Sequence, residues 1–595
     1  MNRLTEKQIA KMSKTFFDYI GASNAATGAT LDSNANVTNK NIATVEKVLS
    51  DDFNIQLNRH ILKDRIEDTF DKELSEQYIE DLESHLIYTH DETSLKPYCV
   101  SISLYPFLID GLISLGGDSK APKNIHSFIG GFLNLMFMIS SQFAGAVATT
   151  EFLMYFDYFA RKEWGDDYIY EKEREVSQLF QQVVYTINQP ASARGMQSIF
   201  WNISTFDKEF FDGLFGEFIF PDFSEPKWST LSKLQEFWHE WFRKERQASL
   251  LTFPVVTHSA IVEDVNEPTG RWKDTESRNF VADEMSKGGE FFIYTSDSAD
   301  SLASCCRLKN ELQENTFSFS LGAGGVMTGS KNVITINVNR AAQINEPVLD
   351  VLSRVHKYQV AYNDHLKGLY DSDMLDVYKA NYITLDKQFL TIGLNGVLES
   401  AEFYGIEISN NDGYKKYLSN LFGTIKKANK EAGSRYGVMF NTEIVPAEGL
   451  GTKNPIWDRA DGLAVNRDTY NSYFYKVEGD DSVFDKMELH GGDIVKSLDG
   501  GSALHFNNDE RLTKRQYRDL LDSLAKTGCN YFAENVPKTI CNTCGYIHAN
   551  HLDYCVECGS NDIDYATRVI GYLKRVKNFS ELRQAEAGVR TYERL

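Results

Sequence analysis

"CNTCGYIHANHLDYCVECGSNDIDYATRVIGYLKR", residues 541–575, decides how the rest of the chain is read. Cys541 and Cys544 form one Cys-x2-Cys pair, ten residues intervene, and Cys555 and Cys558 form a second. Two such knuckles bring four thiolates to the corners of a tetrahedron, which predicts a structural zinc ion with no coordination position left for water. The all-sulfur set favours zinc over calcium or magnesium. Gly545 and Gly559, directly after each pair, suit the tight turn of a knuckle, and His548 and His551 between them read as loop residues.

Outward from this stretch, the 595 residues are 42% hydrophobic and 25% charged, enough to bury a large core. A net charge of −22, from 62 Lys and Arg against 84 Asp and Glu, repels a phosphate backbone and argues against a genome-coating role. The opening "MNRLTEKQIAKMSKTFFDYIGAS" mixes charges with apolar residues and lacks the apolar run of a signal peptide, so a cytoplasmic location is expected. Residues 124–150 carry no Asp, Glu, Lys or Arg and are long enough to span a bilayer. Asn134, Ser140, Ser141 and Gln142 inside the stretch, with no basic cluster at either flank, predict a buried helix instead. The eight cysteines are grouped unevenly and do not read as a disulfide framework in such a compartment.

Residues 1–95 read as a mainly helical region, 96–536 as a mixed α/β domain, 537–562 as the ribbon and 563–595 as a C-terminal loop. Strand-like runs "LLTFPVVT" (250–257), "GEFFIYT" (289–295) and "NVITINV" (332–338) alternate with helical stretches, a pattern compatible with a closed barrel. "LGAGGVMTGSKN" (321–332) has Met327 where a dinucleotide fingerprint needs its last glycine and reads as a plain turn. His239 and Glu240 lack the second histidine of a zinc-protease helix and are expected at a surface.

Cys305 and Cys306 are adjacent in "SLASCCRLKNEL", Cys99 stands alone, and thirteen residues beyond Cys558 comes Gly571. Buried free cysteines often serve only as small hydrophobes, and glycine in "RVIGYL" alone reads as a turn. A glycine α-carbon can also lose a hydrogen and leave a radical spread over the flanking amides, able to exchange a hydrogen atom with a nearby thiol. This chain supplies both partners for that exchange.

"RVIGYL" after a four-cysteine ribbon resembles the anaerobic (class III) ribonucleoside-triphosphate reductases, a branch of the glycyl radical enzymes. The resemblance covers most of the chain, because "HDETSLKPYCVSISLYPFLIDG", "LLTFPVVT", "SCCRL", "TGSKNVITINVNR", "TIGLNGVLESAEFYGI", "EIVPAEGLG" and "LDGGSALHF" fall in the family's order. It implies a ten-stranded α/β barrel with an internal finger loop, a helical N-terminal region, a zinc ribbon and a C-terminal glycyl radical loop. It assigns the thiyl radical to Cys306, with Cys305 the weaker candidate, radical storage to Gly571, and hydrogen supply on the opposite ribose face to Cys99. Ser330, Asn337 and Glu448 fall in segments that contact substrate.

The resemblance further implies ribonucleoside triphosphate substrates, deoxynucleotide or ATP effectors acting at a homodimer interface, and formate or a redoxin as reductant. A separate S-adenosylmethionine iron–sulfur activase would generate the radical, since the chain has no Cys-x3-Cys-x2-Cys triplet of its own. An N-terminal ATP-sensing cone is not expected, because Cys99 falls within the first hundred residues. Two readings compete. A pyruvate formate-lyase type of glycyl radical enzyme also has adjacent cysteines and a similar glycine, but does not place a four-cysteine ribbon there. A zinc-ribbon nucleic-acid binder is opposed by the net charge and by the lack of interleaved basic and aromatic residues between Cys541 and Cys558.

Overall fold

The computed structural model describes residues 4–28, 35–37, 39–191, 194–263, 271–299, 301–304, 308–311, 326–445, 448–568 and 571–593. The chain opens on helices α1 (Glu6–Gly21), α2 (Ile42–Thr69) and α3 (Lys72–Glu83). Each is started by a polar side chain that accepts an otherwise orphaned first-turn amide: Thr5 from Gln8, Asn41 from Thr44 and Asp71 from Leu74.

Seventeen strands follow among the described residues. They are β1 (Ile87–Thr89), β2 (Cys99–Ser101), β3 (Val147–Ala148), β4 (Trp201–Phe206), β5 (Val255–Ile261), β6 (Phe292–Ser296), β7 (Ser301–Ser304), β8 (Leu308–Glu311) and β9 (Thr328–Asn337). The rest are β10 (Phe389–Asn395), β11 (Phe440–Glu443), β12 (Leu504–Asn507), β13 (Tyr531–Asn535), β14 (Lys538–Cys541), β15 (Ile547–His548), β16 (Ile563–Arg568) and β17 (Leu573–Arg575).

Ten of these form one path, β11-β10-β9-β2-β3-β4-β5-β6-β13-β12, with β1 added antiparallel to β9. Strands β2 to β6 are mutually parallel, as are β9 with β10 and β11, and β12 with β13. The antiparallel steps are β2 against β9 and β6 against β13. The ends of the path meet: Gly500 N–H donates to the Thr442 carbonyl (2.8 Å), Ile444 N–H donates to the Gly501 carbonyl (3.2 Å), and Glu443 pairs in parallel with Gly501. Two five-stranded parallel halves, opposed to each other, therefore close into the ten-stranded α/β barrel. Strands covered on both faces need apolar side chains at consecutive positions, and β5, β9 and β10 are buried along their whole length.

The apolar run at 250–257 becomes strand only from Val255, because Pro254 has no amide hydrogen for a ladder; Leu251 and Phe253 are buried as core before it. Only part of the uncharged stretch 124–150 is the expected buried helix, Ile125–Ser140, capped by Asn124 and set in the main core; the remainder is a loop and strand β3. No described helix is long and apolar enough to cross a membrane. His239 is buried rather than at the surface, its Nε2 3.0 Å from Thr205 Oγ1, while Glu240 is exposed.

Strands β7 and β8 pair antiparallel, from Ser301 opposite Glu311 to Ser304 opposite Leu308, and β7 lies against β4 and β5. Cys305 and Cys306 fall between these strands and outside the described residues.

Candidate active site and metal centre

The ribbon is a second sheet, ordered β15-β14-β16-β17. Its four cysteines place their Sγ atoms within 4.8 Å of one another. A tetrahedral ion with metal–sulfur bonds of about 2.3 Å sets sulfurs about 3.8 Å apart. Cys541 to Cys558 is 3.6 Å and Cys544 to Cys555 is 3.7 Å, so the donor set fits zinc. Gly545 and Gly559 take φ of +78° and +71°, the left-handed turn each knuckle needs. The backbone N–H of Cys544 helps to pull the Cys541 thiol down to about 6, toward the thiolate a metal requires. His548 Nε2 lies 3.4 Å from Cys555 Sγ, beside the cluster but outside the four-sulfur set.

The same sheet carries the glycine. Strands β16 and β17 pair from Ala566 opposite Arg575 to Arg568 opposite Leu573, so Gly571 stands in the turn that joins them. The hairpin is held from several sides. Arg568 Nη1 donates to the Gly571 carbonyl (3.1 Å), Arg590 Nη1 to the Arg568 carbonyl (2.8 Å), and Thr252 Oγ1 to the Leu573 carbonyl (3.1 Å). The Tyr572 ring packs edge-on against Phe200, centroids 5.5 Å apart, and its hydroxyl donates to Glu448 Oε2 at 2.7 Å. Gly571 and Tyr572 are both buried.

Tyr572 lines a cavity of ≈ 780 Å³, together with His90, Tyr98, Gly145, Arg194 and Glu448. Cys99 stands directly behind that wall. Its Sγ accepts the Ala146 N–H (3.2 Å), and a Cβ built on Gly145 would come within 2.3 Å of the sulfur. The hairpin thus borders the cavity through Tyr572, and Cys99 lies behind the part of its wall formed by Tyr98 and Gly145.

Ser330 and Asn337 sit elsewhere. Ser330 is opposite Cys99 across the β2–β9 junction, but its hydroxyl donates to the Asn332 carbonyl (3.0 Å) and meets Thr391 Oγ1 (2.7 Å). Asn337 caps the helix Val338–Gln343 and donates to Asp458 (3.0 Å), a buried carboxylate that also accepts from Arg340 (2.9 Å) and Tyr470 (2.8 Å). Neither side chain lines the cavity. Glu448 does, and burial pushes its carboxyl up to about 7, against the charged-state support of Tyr572 and the Ala35 N–H.

Sequence reasoning did not single out His90, Tyr98 or Arg194. Burial holds His90 neutral, pushed down to about 3, with Nε2 2.8 Å from Thr335 Oγ1. Arg194 spans the carbonyls of Ser140 and Phe143 through Nη1 and of Ala144 and Gly145 through Nη2, at 2.9 to 3.3 Å, and so fixes the loop that backs Cys99. Tyr98 and His90 lie in "HDETSLKPYC", where a signal existed; Arg194, in "ASARGMQS", had none.

No curated protein matches the chain. Among solved structures it is similar to one described as an anaerobic ribonucleotide reductase, at 25% identity and TM-score 0.83 over 93% of this chain and 90% of that one. Two structures of the anaerobic ribonucleotide reductase from Thermotoga maritima, one with dATP in the specificity site and one with dATP and CTP, share the fold at TM-score 0.80 and 24% identity. They cover 98% and 99% of this chain and 100% of their own. The family model described as anaerobic ribonucleoside-triphosphate reductase matches residues 47–592. A match of that extent, over a closed ten-stranded barrel whose cavity is lined by the tyrosine that follows the ribbon-borne glycine, favours the reductase over a pyruvate formate-lyase type, and the chain belongs to the anaerobic ribonucleoside-triphosphate reductase family.

Proposed function

We propose that the chain converts ribonucleoside triphosphates to 2′-deoxyribonucleoside triphosphates with a radical stored on Gly571 and used through Cys306. The thiyl radical at Cys306 removes the ribose 3′ hydrogen, and the 2′ hydroxyl, once protonated, leaves as water. Two electrons enter from formate or a redoxin, with two protons drawn from the reductant and, where formate gives only one, from solvent, and Cys99 passes hydrogen to the face opposite Cys306. Cys306 then recovers its hydrogen and the radical returns to Gly571, while the cavity excludes side reactions. Cys305 is a supporting thiol at most. Ser330 and Asn337 shape the substrate-contacting segment from behind, and Glu448 bounds the cavity.

The observation that supports this reading is the position of Gly571: buried, in the turn of the four-cysteine sheet, and next to Tyr572, which lines the cavity that Cys99 backs. The ribbon would hold one structural zinc through Cys541, Cys544, Cys555 and Cys558. We further propose a cytoplasmic homodimer, an S-adenosylmethionine iron–sulfur activase as partner, and deoxynucleotide or ATP effectors at helices within residues 120–190. The domain limits 1–95, 96–536, 537–562 and 563–595 belong to the same proposal.

Anaerobic activation followed by electron paramagnetic resonance tests it. A glycine-centred doublet is expected, lost in Gly571→Ala. Cys306→Ala should keep the doublet and make no deoxynucleotide, whereas Cys305→Ala should retain activity. Air should then cut the activated chain at Gly571, releasing a C-terminal peptide of about two dozen residues as a peroxyl radical breaks the backbone. Activated protein with no such signal, staying full length in air, would return Gly571 to an ordinary turn residue.

A further inference from the structure

Glu448 joins three parts of the chain that have no sequence reason to meet. Its Oε2 accepts the Tyr572 hydroxyl (2.7 Å), next to Gly571. Its Oε1 accepts the backbone N–H of Ala35 (2.9 Å), from the segment between α1 and α2. Its own carbonyl accepts from Arg583 Nε (3.1 Å), on the final helix Glu581–Val589. Both carboxylate oxygens are therefore engaged by protein donors. The N-terminal segment is tied down on either side of this contact. Asn24 Nδ2 donates to the carbonyls of Lys577 (3.0 Å) and Phe579 (2.7 Å), just beyond the hairpin, and Asn36 Nδ2 donates to the Ser198 carbonyl (3.1 Å). Ala35 and Asn36 are buried, and Asn36 also borders the cavity.

We propose that Glu448 is a positioning residue that pins the Gly571 hairpin against the cavity wall and couples the hairpin's release to release of the contacts at Ala35 and Asn36. The functional part of this rests on Gly571 being the radical site. Gly571 is buried, so withdrawal of the hairpin is what opens its α-carbon to a bulky reagent and speeds the access of a small one such as dioxygen. A carboxylate suits the pin because it offers an acceptor to each of two donors. Glutamine at this position keeps one acceptor and presents an amide donor in place of the other. With the glutamine oxygen on the Ala35 N–H, the Tyr572 hydroxyl must turn to accept from the amide and its own O–H loses the carboxylate acceptor; with the amide reversed, the Ala35 N–H loses its acceptor instead, so either orientation leaves one of the two donors unmet and removes the charge from both bonds. Tyr572→Phe breaks the hairpin side alone, and Asn24→Ala loosens the segment without touching the carboxylate.

Amide hydrogen exchange on the full-length, unactivated protein reads the pin directly and needs no radical. Glu448→Gln should speed exchange about tenfold both in the hairpin, 571–575, and in the segment around Ala35. Tyr572→Phe should speed it in the hairpin with a smaller effect around Ala35, and the double variant should be no faster in the hairpin than Glu448→Gln alone, as expected of two residues on one contact. Zinc content should stay at wild-type level, which separates pin loss from ribbon unfolding. In activated protein, both variants should lose the glycine signal in air at least threefold faster than wild type. Unchanged hairpin exchange in both single variants, or additive effects in the double, would overturn the pin. A wild type that exchanges as expected but gives no glycine signal would instead sink the radical reading and leave the pin standing as structure.

Discussion

Gly145→Ala should cripple turnover while leaving the radical store intact. Gly145 lies in "FAGAV", its N–H donating to the Tyr98 carbonyl (2.7 Å) and its carbonyl held by Arg194 (3.1 Å). Its φ is not in the left-handed region, so alanine meets no backbone strain and the effect comes from two close approaches, that to Cys99 dominating. The added Cβ would fall 2.3 Å from Cys99 Sγ and 3.2 Å from the Tyr98 carbonyl oxygen, where ordinary contact begins at 3.4 Å. The sulfur must yield by about 1 Å, and turning it away breaks its bond from the Ala146 N–H. Overpacking of this kind costs about 1–3 kcal/mol of stability, which a barrel of this size survives. A reacting group displaced by about 1 Å loses on the order of 100-fold in rate. Anaerobic deoxynucleotide formation should therefore fall about 100-fold with the glycine-centred signal at wild-type amplitude. Gly423→Ala, with its nearest atom 4.0 Å away in the helix Asp412–Tyr436, is the silent control. Wild-type turnover in Gly145→Ala would refute the placement of Cys99 as a reacting thiol on this wall.

The double variant Cys541→Ser/Cys544→Ser should lose one zinc by metal analysis and, because β16 and β17 belong to the ribbon sheet, should also lose exchange protection at Gly571 and the glycine signal with it. Glu151, buried and accepting from the Leu104 N–H (2.7 Å), has its carboxyl pushed up to about 8 by burial. The unfolded chain ionises this group near 4.5 and the folded chain holds the proton until about 8, so wild-type stability falls as pH rises through that window, by at most about 5 kcal/mol. Glu151→Gln should remove this contribution, visible as a flatter melting temperature between pH 5 and 8 in calorimetry, and an unchanged slope would show that the site is not protonated in the fold.

What could be read from the sequence is what the chain encodes over short distances. The knuckles of the ribbon and their two glycines are adjacent in the chain, and the structure brings the four sulfurs together as the spacing predicts, whereas the strands after residue 562 join the ribbon sheet rather than forming a separate loop. The barrel strands were legible as apolar runs, but an apolar run reports burial, not ladder membership, which is why 250–254 belongs to the core and not to β5. His239 could be tested in the sequence only against a zinc-protease motif, which says nothing of what lies across from it, and Thr205 on β4 is its partner. The cavity wall was the least legible part. Glu448 meets Tyr572 across 124 positions and Ala35 across 413, and Arg194 reaches carbonyls about fifty residues back, pairings fixed only when the ring of strands closes between β11 and the approach to β12. Local spacing therefore says which groups can do the chemistry, while barrel closure sets where they stand. A ribbon that kept its metal would still fail if the closure at Glu443 and Gly501 were lost, because Glu448, which follows β11 and holds Tyr572, would no longer be fixed against the hairpin.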